Sequence, residues 1–283
     1  MLAKLKTSLT DSELDAVVAL VDEVCADPAA VDEPGLRDAA RRRAGDLPER
    51  IRVFLGDLGD PPTQGFRVLS GFGVDERAVG PTPTDGDVCV PVPAGLRQEL
   101  AYFLLCASLL GEASSMRDVL PGKAGDSGSF GWRTLDVTAA VRPDYVAMIC
   151  LRNDDDLATL VCDVGEVDTG KVDVDLLFAP DYPVLPDGPG SPVRAPVLHG
   201  DRARPFLTVD PDRTVREQLA PDALAAFDAF TRAVDDALTG VVLWPGDIVV
   251  VDNRRAVHGQ EPSPVRHDGT DQWLKRVTIT RHR

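Results

Sequence analysis

Gly240–Arg276 reads GVVLWPGDIVVVDNRRAVHGQEPSPVRHDGTDQWLKR, and the rest of the chain is interpreted outward from it. Val241–Trp244 is a short run of β-branched and aromatic residues, which predicts a buried strand. Pro245-Gly246-Asp247 is turn chemistry, and Ile248–Val251 predicts a second strand. That strand runs into Asp252-Asn253-Arg254-Arg255, and one turn-like step later comes His258, followed by Gly259. A single histidine is as often a packed core or loop residue as a chemical one, so the position alone makes His258 only a candidate.

A second stretch lies upstream. Gly131-Trp132-Arg133-Thr134-Leu135-Asp136 is followed by Arg142-Pro143-Asp144-Tyr145-Val146 and then by Cys150-Leu151-Arg152-Asn153. The two stretches together, with Asp268-Gly269-Thr270-Asp271, Trp273-Leu274 and Arg276, resemble the clavaminate synthase-like amino-acid hydroxylases. The resemblance covers roughly Phe66 to Arg276 and is strongest at its two ends.

That family consists of non-haem iron(II), 2-oxoglutarate-dependent oxygenases, so the resemblance implies iron(II) and 2-oxoglutarate as cofactors. The implied fold is mainly β with flanking helices (α+β), built on a double-stranded β-helix (jelly-roll, cupin-like) core. By the resemblance His258 stands at the distal iron ligand and Arg276 at the arginine that grips the 2-oxoglutarate carboxylate. Thr159 matches a threonine that helps to hold 2-oxoglutarate. In relatives that hydroxylate arginine, acidic residues near Asp210 and Asp212 hold the substrate guanidinium, although Asp-Pro-Asp is also ordinary turn chemistry. The implied ligand is an amino acid or amino-acid derivative, free or carrier-linked, in specialised metabolism such as antibiotic biosynthesis.

The metal motif departs from the family. The proximal pattern there is Trp-His-Thr-Glu, whose histidine and carboxylate are two residues apart. On a strand that spacing points both side chains the same way, toward one metal, and the distal histidine completes a facial triad. Here the two positions hold Arg133 and Leu135. Gln272 also replaces an arginine common in the family, and the segment between Glu112 and Phe130 is shorter than the family's loop over the site.

Arg133 opposes metal binding because its guanidinium stays protonated. Like unit charges ~4 Å apart repel by about 4 kcal/mol at an effective dielectric of 20, and a dication doubles that. Asp136 would face away from Leu135 on a regular strand, while His199 and His267 have no partner at ligand spacing. Arg133 either pairs with a local acid, Asp136 or Asp144, and plugs the site, or holds a carboxylate bidentately together with Arg276. Three readings follow. One is a family member without conventional iron chemistry, a pseudoenzyme in the extreme; another is an active dioxygenase with rearranged ligands; the third is a non-catalytic binding or partner protein.

Bulk properties narrow the field further. A chain of 283 residues with net charge −16 is poorly suited to nucleic acid or anionic membranes. Five cysteines without metal-type spacing read as reduced residues of a cytoplasmic protein. No apolar run of membrane length and no signal-peptide pattern are evident, and a homo-oligomer is compatible with the composition. The expected organisation is one domain, 1–283, with a helical part over 1–60 and the β-helix core with helical insertions over 61–283. Thr10-x-x-Glu13 is a capping box, Gly35–Leu58 is helical with a break near Pro48, and Arg41-Arg42-Arg43 is a solvated face. Leu96–Leu110 carries the strongest helical stripe, and Pro221–Leu238 forms a helix that Gly240 stops.

Overall fold

The computed structural model describes residues 5–58, 65–83, 94–121, 131–186, 188–266 and 268–281. The expected shortening before Phe130 falls partly on 122–130, outside the described residues, as do Cys89 and His267.

The N-terminal part is helical, as the capping box predicts. After β1 (Lys6–Ser8) come α1 (Asp11–Ala26), α2 (Glu33–Arg43) and α3 (Glu49–Gly56), the last two separated by a short 3-10 turn and Pro48. Glu13 Oε2 accepts from the Thr10 amide at 2.8 Å, closing the box. Arg50 donates to the same carboxylate at 2.5 and 2.7 Å, tying α3 to α1 and pulling the Glu13 carboxyl down to about 2. The triplet Arg41-Arg42-Arg43 lies at the surface, paired with Asp38, Asp27, Glu23 and Asp46.

The chain continues through β2 (Phe66–Ser70), α4 (Glu76–Val79), α5 (Arg97–Ser108), β3 (Glu112–Ala113), β4 (Arg117–Val119) and β5 (Trp132–Arg133). Then come β6 (Tyr145–Arg152), β7 (Ala158–Asp163), α6 (Val174–Leu177), and two small hairpins, β8 (Tyr182–Val184) with β9 (Val193–Ala195) and β10 (Leu198–Asp201) with β11 (Arg204–Leu207). Helix α7 (Pro221–Ala237) precedes β12 (Thr239–Val242), β13 (Ile248–Asp252), β14 (Ala256–Gln260) and β15 (Trp273–Thr280).

These strands form two main sheets. One has seven strands, ordered β1-β2-β13-β6-β15-β3 with β4 also on β15; the other has four, ordered β12-β7-β14-β5. Alternation along each strand decides its partners. In the larger sheet Val146, Met148, Cys150, Val249, Val251 and Leu274 face the smaller sheet, where Val161 and Val241 meet them. Their neighbours Ala147, Ile149, Leu151, Ile248 and Val250 face outward into a second core with α1, α2 and α5. Burial on both faces explains why β6 and β13 read as unbroken apolar runs. The smaller sheet is covered on its outer face by α7 through Phe227, Phe230 and Val234, packed on Trp132, Cys162 and Val257.

Two expectations need correction. Val241–Trp244 was expected to be buried throughout, but β12 ends at Val242 and Trp244 is 54% exposed. The cause is the turn that follows: Gly246, at φ 91, lies against the Gly73 backbone, and the Asp247 carboxylate accepts from the Trp244 amide. Helix α5 does not bury a stripe alone, since every residue from Glu99 to Ala107 is buried. The helices α1 and α2 cover the side that faces away from the sheet.

Candidate functional site

Register brings the candidate residues to one place. On the four-stranded sheet His258 pairs with Val161 on one side and with Arg133 on the other, while Gln260 pairs with Thr159. Directly paired residues share a face, so Arg133, His258, Gln260 and Thr159 all lie on the inner face. Gly259 makes this possible. A Cβ there would stand 1.8 Å from the Gly131 carbonyl oxygen, so only glycine lets β5 approach β14 at this point. On the opposite sheet Arg276 pairs with Met148, which puts it on that sheet's inner face.

The histidine is deeply buried. Its Nδ1 has no hydrogen-bond partner, and its pKa falls to about 3 through burial first, then through Arg276 and Arg133. It is therefore a neutral imidazole at neutral pH. Arg276 is itself lowered, by burial and then by Arg133, with Asp136 acting in the opposite sense. Among the described residues no carboxylate or carbonyl bonds its guanidinium. The Thr159 hydroxyl is fully buried and also lacks a partner.

Arg133 has an acid beside it, but neither of those expected. Its guanidinium lies 3.9 Å from Asp210, whereas Asp144 pairs with Arg254. The reason is local. Strand β5 stops at Arg133, and Thr134 donates its amide to the Val209 carbonyl, which draws the Asp210 turn alongside. Asp210 is 3% exposed, its Oδ1 has no partner, and burial raises its carboxyl to about 6 against the pull of Arg133. The Asp-Pro-Asp turn is nonetheless real, because the Asp210 carbonyl accepts from Thr214 N and Oγ1. Asp212 is exposed, whereas Asp210 is the buried acid beside Arg133.

Asn253 was part of the quoted motif but had no role assigned. Its Oδ1 accepts from Leu135 N at 2.7 Å, and its Nδ2 donates to Leu135 O and Pro143 O. This clamp turns the Leu135 side chain into the apolar core with Val146, Val161 and Val251. Asp136 follows with φ 54, so it does not sit on the far face of a regular strand, as expected. His199 is bonded through Nε2 to Thr208 Oγ1 at 3.0 Å. Gln272 is buried and bridges Gln260 and the Leu157 carbonyl.

These donors do not fit an iron(II) centre. One imidazole is present, a guanidinium stands opposite it, and the third position is a leucine in the core. Among the described residues no three His, Cys, Asp or Glu side chains group so that they could hold a metal ion.

The crystal structure of the non-heme iron oxygenase OrfP in complex with Fe matches with a TM-score of 0.82 at 33% identity, over 98% of this chain and 94% of that one. OrfP has also been solved with Fe and alpha-ketoglutaric acid. No family model matches. The chain is 32% identical to the L-ornithine/L-arginine 3-hydroxylase of Catenulispora acidiphila, across 98% of its own length and 94% of that protein's. It is 33% identical to the enduracididine beta-hydroxylase of Streptomyces hygroscopicus, across 96% and 93%. The chain belongs to the clavaminate synthase-like family of amino-acid hydroxylases.

Proposed function

We propose that this chain is a single-domain, double-stranded β-helix protein that binds an amino acid or amino-acid derivative without conventional iron-dependent hydroxylation. The observation that carries this reading is the pairing of Arg133 with His258, with Leu135 in the core, where the family resemblance calls for two further ligands. In this reading Thr159 and Arg276 remain as carboxylate-holding groups. Asp210 and Asp212 are the substrate side, with Asp210 the one beside Arg133.

Metal titration is the direct test. Calorimetry with iron(II) in the absence of air, or with manganese(II), should show no tight site in the wild-type protein. A micromolar dissociation constant that disappears in His258→Ala would overturn the reading. It would favour an active dioxygenase with rearranged ligands, for which Asp136 and His199 are the candidates.

The substrate side has its own test. One relative is named for L-ornithine and L-arginine, and OrfP has been solved with L-Arg. Arginine or ornithine should therefore raise the melting temperature, because a ligand that binds only the folded state stabilises it, by about 2.7 kcal/mol at a hundredfold excess over Kd. The shift should shrink when Asp210 and Asp212 are both changed to Asn. An equal shift in that variant would leave the two acids as turn residues only.

A further inference from the structure

We infer that a small phosphate monoester binds in a cleft between the β13–β14 turn, the β10–β11 hairpin and the residue that follows β15. The cleft is a cavity of about 290 Å³ lined by Arg204, Arg254, Arg255 and Arg281. None of Arg133, Thr159, Asp210, His258 and Arg276 lines it, so this site is separate from the inner face described above.

The four arginines come from three distant parts of the chain, and strand pairing gathers them. Tyr145 pairs with Asp252 on one side and with Ile279 on the other, which sets the end of β15 near the β13–β14 turn. The Leu207 amide donates to the Arg254 carbonyl at 2.6 Å, which brings the hairpin to the same place.

Two of these guanidinium groups have donors to spare. The exposed Arg204 side chain makes no ion pair or hydrogen bond among the described residues. Arg281 lies over the Tyr145 ring at 4.9 Å and otherwise meets the Leu58 carbonyl at 3.5 Å. Stacking on a ring face orients a guanidinium without using the N–H groups in its plane.

The local charge runs against the composition. Acids outnumber bases by 46 to 30 in the chain, yet four arginines line this cleft against Asp144, Asp201 and Asp252. Those acids are already engaged. Asp144 pairs with Arg254 and accepts from the Arg281 amide at 2.7 Å, while Asp252 and Asp201 accept from the Arg254 and Ala203 amides at 2.9 Å. A fifth guanidinium, Arg142, lies close to Arg254 and bonds the Leu207 and Asn253 carbonyls and the Thr208 hydroxyl, with no acid among the described residues.

A carboxylate is planar, and one fork satisfies it. A phosphoryl group has three strong acceptor oxygens and close to two charges, and so takes donors arriving from three directions. The cavity is at the lower end of the ~300–1,000 Å³ range of small-molecule sites, which leaves room for a short organic group beside the Phe206 ring.

The test is calorimetry on the full chain with glycerol 3-phosphate, inorganic phosphate and acetate as probes. Glycerol 3-phosphate should bind with a Kd of about 1 mM or below, inorganic phosphate more weakly and acetate not at all. Affinity should fall as salt is raised. Arg204→Gln and Arg281→Gln change exposed residues, so circular dichroism should stay that of the wild type while each weakens binding by about tenfold. Arg133→Gln, at the inner face, should leave the affinity unchanged. No binding of glycerol 3-phosphate overturns the inference. So does binding that Arg133→Gln abolishes or that Arg204→Gln and Arg281→Gln leave intact. Inorganic phosphate binding as tightly as the ester overturns the assignment to a monoester.

Discussion

Arg133→His combined with Leu135→Glu should turn this chain into an iron(II) binder. The pair removes the guanidinium opposite His258 and returns an imidazole and a carboxylate to positions two residues apart. Without metal the variant should be less stable than wild type, because Leu135 is 7% exposed in an apolar core. Burying an unpaired carboxylate there costs several kcal/mol. Metal should reverse the loss, since a ligand at a hundred times its Kd restores about 2.7 kcal/mol. Melting curves with and without iron(II) or manganese(II), the former under anaerobic conditions, make the comparison: a metal-dependent rise in the variant and none in wild type. With iron(II) and 2-oxoglutarate together, a visible chelate band should also develop in the variant alone. A band in wild type would mean that the ligand positions are wrongly assigned. Turnover should stay low even with metal, because Gln272 is held between Gln260 and Leu157 and offers no charge to a co-substrate.

Lys275→Met should be among the most destabilising single changes in the chain, by about 3–5 kcal/mol. Lys275 and Asp118 form an ion pair of 2.6 Å in which both side chains are fully buried. Their strands pair at this point, and the Trp273 indole also donates to Asp118. Removing the ammonium leaves a carboxylate in a place without water, which costs far more than the pair itself contributes. Lys275→Met with Asp118→Asn should therefore recover much of the loss, because asparagine is neutral and still accepts from Trp273. Urea unfolding of the two single variants and the double variant gives the coupling directly. A Lys275→Met protein within about 1 kcal/mol of wild type would overturn this account. The pair also bears on the site, because Arg276 is the next residue on the same strand and points to the opposite face.

Much of this molecule is legible in the chain itself. The capping box at Thr10, the helix after Leu96 and the strand at Ile248 follow from local chemistry and periodicity, which do not depend on distant residues. The replacement of two family ligands by Arg133 and Leu135 is likewise a fact of sequence. The partners of those residues are not. Arg133 meets Asp210 instead of Asp136 or Asp144, because β5 ends early and a loop some seventy residues away closes on Thr134. Leu135 turns into the core because Asn253, on the far side of the fold, clamps its backbone. Trp244 is exposed, and α5 is buried all round, because of what packs beside each of them. Local propensity reads which face a residue presents along its own element. Which charge waits on the other side is set by register and by long-range contacts, and only the tertiary structure decides it.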